Sequence, residues 1–173
     1  MNTVRTVEGR EVSDQEGRLT ELYEANALRS FRFAYMLTGD RVVAEDLLQE
    51  AFIRAFDRLD TLREQDAFPG YLRTTILNLA RAHLRRQRIE RLSLRRQALV
   101  ASTQHDVLPD IDQRERLWQA LHRLPYRQRA ALVLRYYEDL SERDTARTLG
   151  TSVAGVKALV SRGTKALRGK LEP

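Results

Sequence analysis

Cysteine is absent from the 173 residues of this chain, which excludes disulfides, thiolate metal sites, thiol nucleophiles and direct thiol redox sensing. Long hydrophobic runs are absent too. The strongest apolar stretch, around 130–134, is far shorter than the ~20 residues that cross a bilayer, and the N-terminus is polar rather than signal-like. No stretch alternates apolar and polar residues between turn signals, so no sheet is predicted, and no internal repeat is present. Catalytic hallmarks are equally scarce. His83, His105 and His122 are isolated in sequence, and neither a Gly-rich phosphate loop nor a nucleophile motif occurs.

What is abundant is arginine: 27 Arg stand against 3 Lys and 24 acids, for a net charge of +6. With 42% apolar residues a packed core is within reach, and the length suits one medium domain or two small ones. A soluble, cytoplasmic protein with phosphate-bearing partners is the expectation.

Residues 1–17 are polar and aperiodic and read as a flexible leader. From Leu19 an apolar face recurs at three- and four-residue steps until Thr38-Gly39-Asp40, where glycine suits a helix end and aspartate a helix start. A second helix is predicted over 41–59, and a long third one from Pro69 into the nineties. Periodicity is lost over 93–112, a charged linker that starts basic and ends acidic. A further helical block spans 113–171. The predicted fold is all-α, with two small helical domains, 18–92 and 113–171, joined by that tether.

The second domain carries a paired-helix signature. Ser141 with Asp144 forms a capping-box pattern, the following helix stops at Gly150, and Ser152 can cap another. Val153, Val156, Val160, Gly163 and Leu167 make one stripe of that last helix. Ala154, Lys157, Ala158, Ser161, Arg162 and Lys165 make the opposite stripe, which contains no acid. Small residues allow a helix to approach a major groove, while Lys and Arg reach phosphates and guanine edges, so the pattern fits a DNA-binding helix-turn-helix.

The first domain juxtaposes opposite charges. Residues 41–66 hold four Arg against seven acids, and Asp46, Gln49, Glu50, Ile53 and Asp57 share a polar stripe away from Leu48, Phe52 and Phe56. An acidic face with an exposed Ile suits a protein partner. Residues 71–100 hold eight Arg against one acid, and Thr74, Asn78, Arg81, Arg85 and Arg88 project from one helix face. Such a track suits a nucleic-acid backbone. Tyr71 at its start is placed to stack on an unpaired base, whereas Phe68 suits the core.

These residues resemble the extracytoplasmic-function (ECF) group of bacterial RNA polymerase sigma factors. LTGDRVVAEDLLQEAFIRAFDRL (37–59) is similar to the family's core-binding region, FPGYLRTTILNLARAHLRRQR (68–88) to the regions that recognise and melt the −10 element, and 121–168 to the region that reads the −35 element. The resemblance implies that Asp46, Gln49, Glu50, Phe52 and Ile53 engage the clamp helices of the largest polymerase subunit, with Phe52 acting by packing. It implies −10 contacts from Tyr71, Asn78, Arg85 and Arg86, and the shared helix face adds Arg81 and Arg88 as candidates. It implies −35 contacts from Lys157 and Arg162, and the same acid-free face adds Ser152, Ala154, Ala158, Ser161 and Lys165 as candidates. Core polymerase, including its flap region, promoter DNA and an anti-sigma factor are the implied partners. No cofactor, metal, catalysis or membrane insertion is implied, and the linker would pass near the polymerase active centre. Gly155, Leu159 and Ala82 depart from the family's usual Thr, Arg and Asp.

Two other readings stay open at this level. An autonomous helix-turn-helix regulator would bind duplex DNA without polymerase. A nucleic-acid enzyme would need a metal site from Glu45, Asp46 and Glu50, which all lie on one helix without a clustered His.

Overall fold

Several helix boundaries follow from local chemical signals. The computed structural model describes residues 4–58, 67–97 and 113–171, with side chains over 17–58, 67–92 and 116–169. Helix α1 (Val4–Thr38) ends where Gly39 takes a left-handed backbone, φ +77, and its amide donates to the Tyr35 carbonyl. Asp40 then caps α2 (Arg41–Phe56) by accepting the Val43 amide at 3.1 Å. Helix α3 (Ala67–Gln97) completes an N-terminal three-helix bundle, with α2 packed against both α1 and α3.

The C-terminal part holds α4 (Gln113–His122) and α5 (Tyr126–Leu132), the latter winding on into a π-helical turn over Val133–Tyr137. In that turn the Glu138 amide reaches back five residues to Val133. Helix α6 (Glu142–Leu149) is capped by the Ser141 hydroxyl, which accepts the Asp144 amide at 3.0 Å and donates to the Asp144 carboxylate. It closes at Gly150, φ +60, with the paired bonds Gly150 to Arg147 and Thr151 to Ala146. Ser152 then accepts the Gly155 amide at the start of α7 (Val153–Leu171). No strand occurs among the described residues, so the fold is all-α. No helix among them is long and apolar enough to cross a membrane.

Two expectations are corrected at their boundaries. The chain is helical from Val4, inside the stretch read as a leader. Apolar periodicity marks only the packed part of a helix, and residues 4–16 contain straight-chain charged residues and no proline to interrupt it. Likewise α3 continues to Gln97, so the first residues of the expected linker are helical. The remainder of that linker and Leu59 lie outside the described residues.

One core runs through both parts. Phe33, Leu37, Phe52, Phe68, Leu72 and Ile76 fill the N-terminal bundle, and Ala130, Val133 and Leu134 join the same cluster. Aromatic rings of Phe52, Phe56 and Phe68 sit 5.4–6.0 Å apart, centroid to centroid. Polar bonds reinforce the joint. The Tyr126 hydroxyl donates to the Leu77 carbonyl at 2.6 Å, Tyr35 stacks on Trp118 at 4.4 Å, and Gly39 lies under the His122 ring. The Glu138 carboxylate, 5% exposed, accepts from Arg73 at 2.7 Å and Arg29 at 3.2 Å. The sequence expectation of tethered domains contained no hint of this packing.

Candidate functional site

The polar stripe of α2 is exposed as expected. Asp46 and Gln49 face solvent, Glu50 is half-buried and pairs with Arg54 at 2.7 Å, and Ile53 is 57% exposed. Phe52 is 3% exposed and belongs to the core. Its contribution to any partner is therefore indirect, by holding α2 in place. One residue was missed: Val42, 66% exposed, begins the same stripe one turn before Asp46. A lone valine at a helix start carries no signal of exposure, because propensity and period do not report which face stays uncovered. Val42 and Ile53 thus leave exposed apolar side chains at either end of the acidic stripe. Glu45 pairs with Arg41 at 2.9 Å, and no group of three metal-ligating side chains comes together among the described residues.

Helix α3 presents Thr74, Asn78, Arg81, Arg85, Arg86 and Arg88 to solvent. None of these four guanidinium groups has a carboxylate within 4.0 Å among the described residues. Arg73 belongs to the same basic run but turns inward to Glu138. Phe68 is 1% exposed and serves the core. Tyr71 is half-buried against that core, with the Arg58 guanidinium 5.8 Å from its ring centroid.

On α7 the two stripes separate cleanly. Val156 is fully buried and Gly163 lies against Leu132, where a Cβ would come within 2.9 Å of the Leu132 side chain. Ser152, Ala154, Lys157, Ala158, Ser161, Arg162 and Lys165 are all exposed. Lys157 sits 3.5 Å from Glu142, and the Arg162 guanidinium folds back onto the Ala158 carbonyl. Both are exposed arrangements that a phosphate or base edge can displace. Gly155 has a local cause: a Cβ there would meet the Thr151 hydroxyl at 2.5 Å. Sequence reasoning missed Arg135, Arg168 and Tyr136, 70% exposed, which border a groove of about 800 Å³ along this helix. They come from the π-helical turn and the far end of α7, and only tertiary packing brings them together.

Comparison with known proteins decides what these surfaces belong to. Residues 22–89 match the Sigma-70 region 2 family and residues 114–167 match Sigma-70, region 4. The RNA polymerase sigma-E factor of Streptomyces coelicolor is 32% identical over 140 residues, 81% of this chain and 78% of that one.

The chain belongs to the ECF sigma factors of RNA polymerase.

The ECF RNA polymerase sigma factor SigE of Mycolicibacterium smegmatis is 34% identical over 87% of this sigma factor and 60% of the relative. The fold also matches the solved sigma factor RpoE of Bartonella quintana, in complex with the anti-sigma factor NepR, with TM-score 0.68, 23% identity and coverage of 92% and 97%. The α2 stripe and α3 track fall within the region 2 match of this sigma factor. Its paired helices α6 and α7 fall within the region 4 match, up to residue 167.

Proposed function

We propose that this sigma factor is a non-catalytic initiation subunit of the cytoplasm that binds core RNA polymerase and directs it to promoters. The observation that carries the reading is the opposition of surfaces. One bundle presents an acidic, apolar-ended helix beside an exposed arginine track, and an acid-free helix face of small and cationic residues follows in the second helical part. In this reading residues 18–92 and 113–171 act as two domains joined by a tether. Asp46, Gln49, Glu50 and Ile53, with Val42, dock on the clamp helices of the largest subunit, and the flap region takes the second domain. Tyr71, Asn78, Arg81, Arg85, Arg86 and Arg88 hold the opened −10 strand. Ser152, Ala154, Lys157, Ala158, Ser161, Arg162 and Lys165 lie over the −35 major groove. An anti-sigma protein is a further partner, as one is for the Bartonella quintana relative. No cofactor or metal has a part in this reading.

Geometry adds one requirement. Elements at −10 and −35 are about 25 base pairs apart, roughly 85 Å along a duplex. Two bundles of this size in contact have centres only about 25 Å apart. The packed arrangement cannot serve both elements at once, so the interface around Glu138 opens when promoter and polymerase are engaged. Purified protein mixed with core polymerase and a promoter library tests the function. Core-dependent run-off transcription from a defined promoter class is the expected result. Tight sequence-specific binding by the protein alone, with no transcription, would favour the autonomous regulator instead.

A further inference from the structure

A cavity of about 570 Å³ opens where the two helical parts meet. Arg88, Arg91 and Gln87 of α3 line one side, Thr38 closes the end of α1, and His122 and Arg129 come from α4 and α5. Its chemistry is lopsided. Three arginines line it, no acid lines the walls, and none of the three has a carboxylate within 4.0 Å among the described residues.

Arg129 makes the site unusual. Its side chain lines the cavity although the residue is only 6% exposed, and its Nε has no hydrogen-bond partner among the described residues. Burial lowers the pKa of this guanidinium from its ordinary value, with the nearby Tyr126 hydroxyl acting in the opposite sense. A buried cation without a counter-ion is costly, and a guanidinium stays charged, so its natural complement is an anion. The rest of the wall fits one. The His122 ring is held by its Nδ1 donating to the Trp118 carbonyl at 2.9 Å, and Gln87 and Thr38 bring hydrogen-bonding side chains to the rim.

We infer that this cavity is a binding site for a small, free phosphate-type oxyanion, inorganic phosphate or diphosphate. Planar guanidinium forks match phosphate oxygens in pairs, which favours this class over halide. The depth of Arg129 favours a free anion over a nucleic-acid strand, whose internal phosphates are tethered by two ester links and cannot enter so far. A bound anion would bridge α3 to α4 and α5, and hence hold the packed arrangement of the two helical parts together.

Titration calorimetry of the full chain with sodium diphosphate at constant ionic strength tests the site. Saturable one-to-one binding is expected, weakened at least tenfold in Arg129→Gln. Arg91→Ala serves where the first variant fails to fold, since Arg91 is exposed and outside the core; it too should weaken binding tenfold. A parallel titration with a 12-nucleotide single-stranded DNA separates the two phosphate sources. Absence of saturable diphosphate binding overturns the inference, as does binding unchanged in every folded variant. Arg129-dependent binding of the oligonucleotide with none of diphosphate also overturns it, in favour of a strand site.

Discussion

Replacing Glu138 by Gln should loosen the joint between the two helical parts by about 2–3 kcal/mol. The carboxylate is 5% exposed and faces two guanidiniums, Arg73 at 2.7 Å and 19% exposed, Arg29 at 3.2 Å and 58% exposed. Breaking a buried ion pair by removing one partner costs about 3–5 kcal/mol. Arg73 retains some contact with water, which moves its share toward the low end of that range. Arg29 is mostly solvated, and its share falls to about 0.5 kcal/mol or less after screening. Glutamine keeps one acceptor oxygen and recovers part of the loss. The remaining 2–3 kcal/mol corresponds to a shift of roughly 30- to 150-fold in the packing equilibrium. The absence of native cysteine makes the measurement direct. Spin labels at Glu45→Cys and Arg147→Cys, both exposed and one on each helical part, report the separation by pulsed electron spin resonance. Glu138→Gln should add a long-distance population and lower the urea midpoint, and Arg73→Gln should do nearly the same. Arg29→Ala should do little. Identical distances and stability in Glu138→Gln, or an Arg29 effect as large as that of Arg73, would refute the reasoning.

Four further outcomes follow from the same geometry. Charge reversal by Asp46→Lys and Glu50→Lys should abolish binding to core polymerase while the circular dichroism melt stays within a degree or two, because both side chains are at the surface. Lys157→Ala with Arg162→Ala should weaken −35 duplex binding by the holoenzyme and lower the salt slope by about 2, one for each phosphate-neutralising charge removed, with core affinity unchanged. Gly39→Ala should destabilise by about 2 kcal/mol in urea titration, since φ is +77 and a Cβ would lie 2.5 Å from His122. Alkaline pH should open the joint through Tyr126. Burial raises its hydroxyl well above the ordinary value, against the opposing pull of Arg129 and Arg81. The folded protein therefore binds that proton more tightly than the unfolded chain, so the stability it contributes is intact below about pH 10 and declines above it. Tyr126→Phe should cost about 1 kcal/mol at neutral pH and flatten the alkaline part of the stability curve.

Much of the candidate surface was legible because its signals are local. Asp40, Ser141, Gly150 and Ser152 act within three or four residues of themselves, and the structure uses each as its residue type requires. The stripes of α2, α3 and α7 are set by helical period alone once the helices exist. Val42 escaped because exposure depends on what neighbours leave uncovered. The helical run from Val4 escaped because it lacks the apolar period that marks packed helices. Asp139, with φ +53, carries the chain out of the π-helical turn, a role that composition assigns to glycine.

An all-helical chain, with a net charge of +6 that resolves into an acidic helix, an arginine track and an acid-free face on the last helix, follows from the residues in order. Those features rest on period, caps and charge counts, which the chain writes within a few residues. Tertiary packing was needed to show that the two helical parts share a core, that Glu138 ties partners 65 and 109 residues away, and that Arg129 lines a cationic cavity without a counter-ion among the described residues. Contacts over such separations are set by which faces remain to be buried after the helices form. No window of neighbouring residues contains that information.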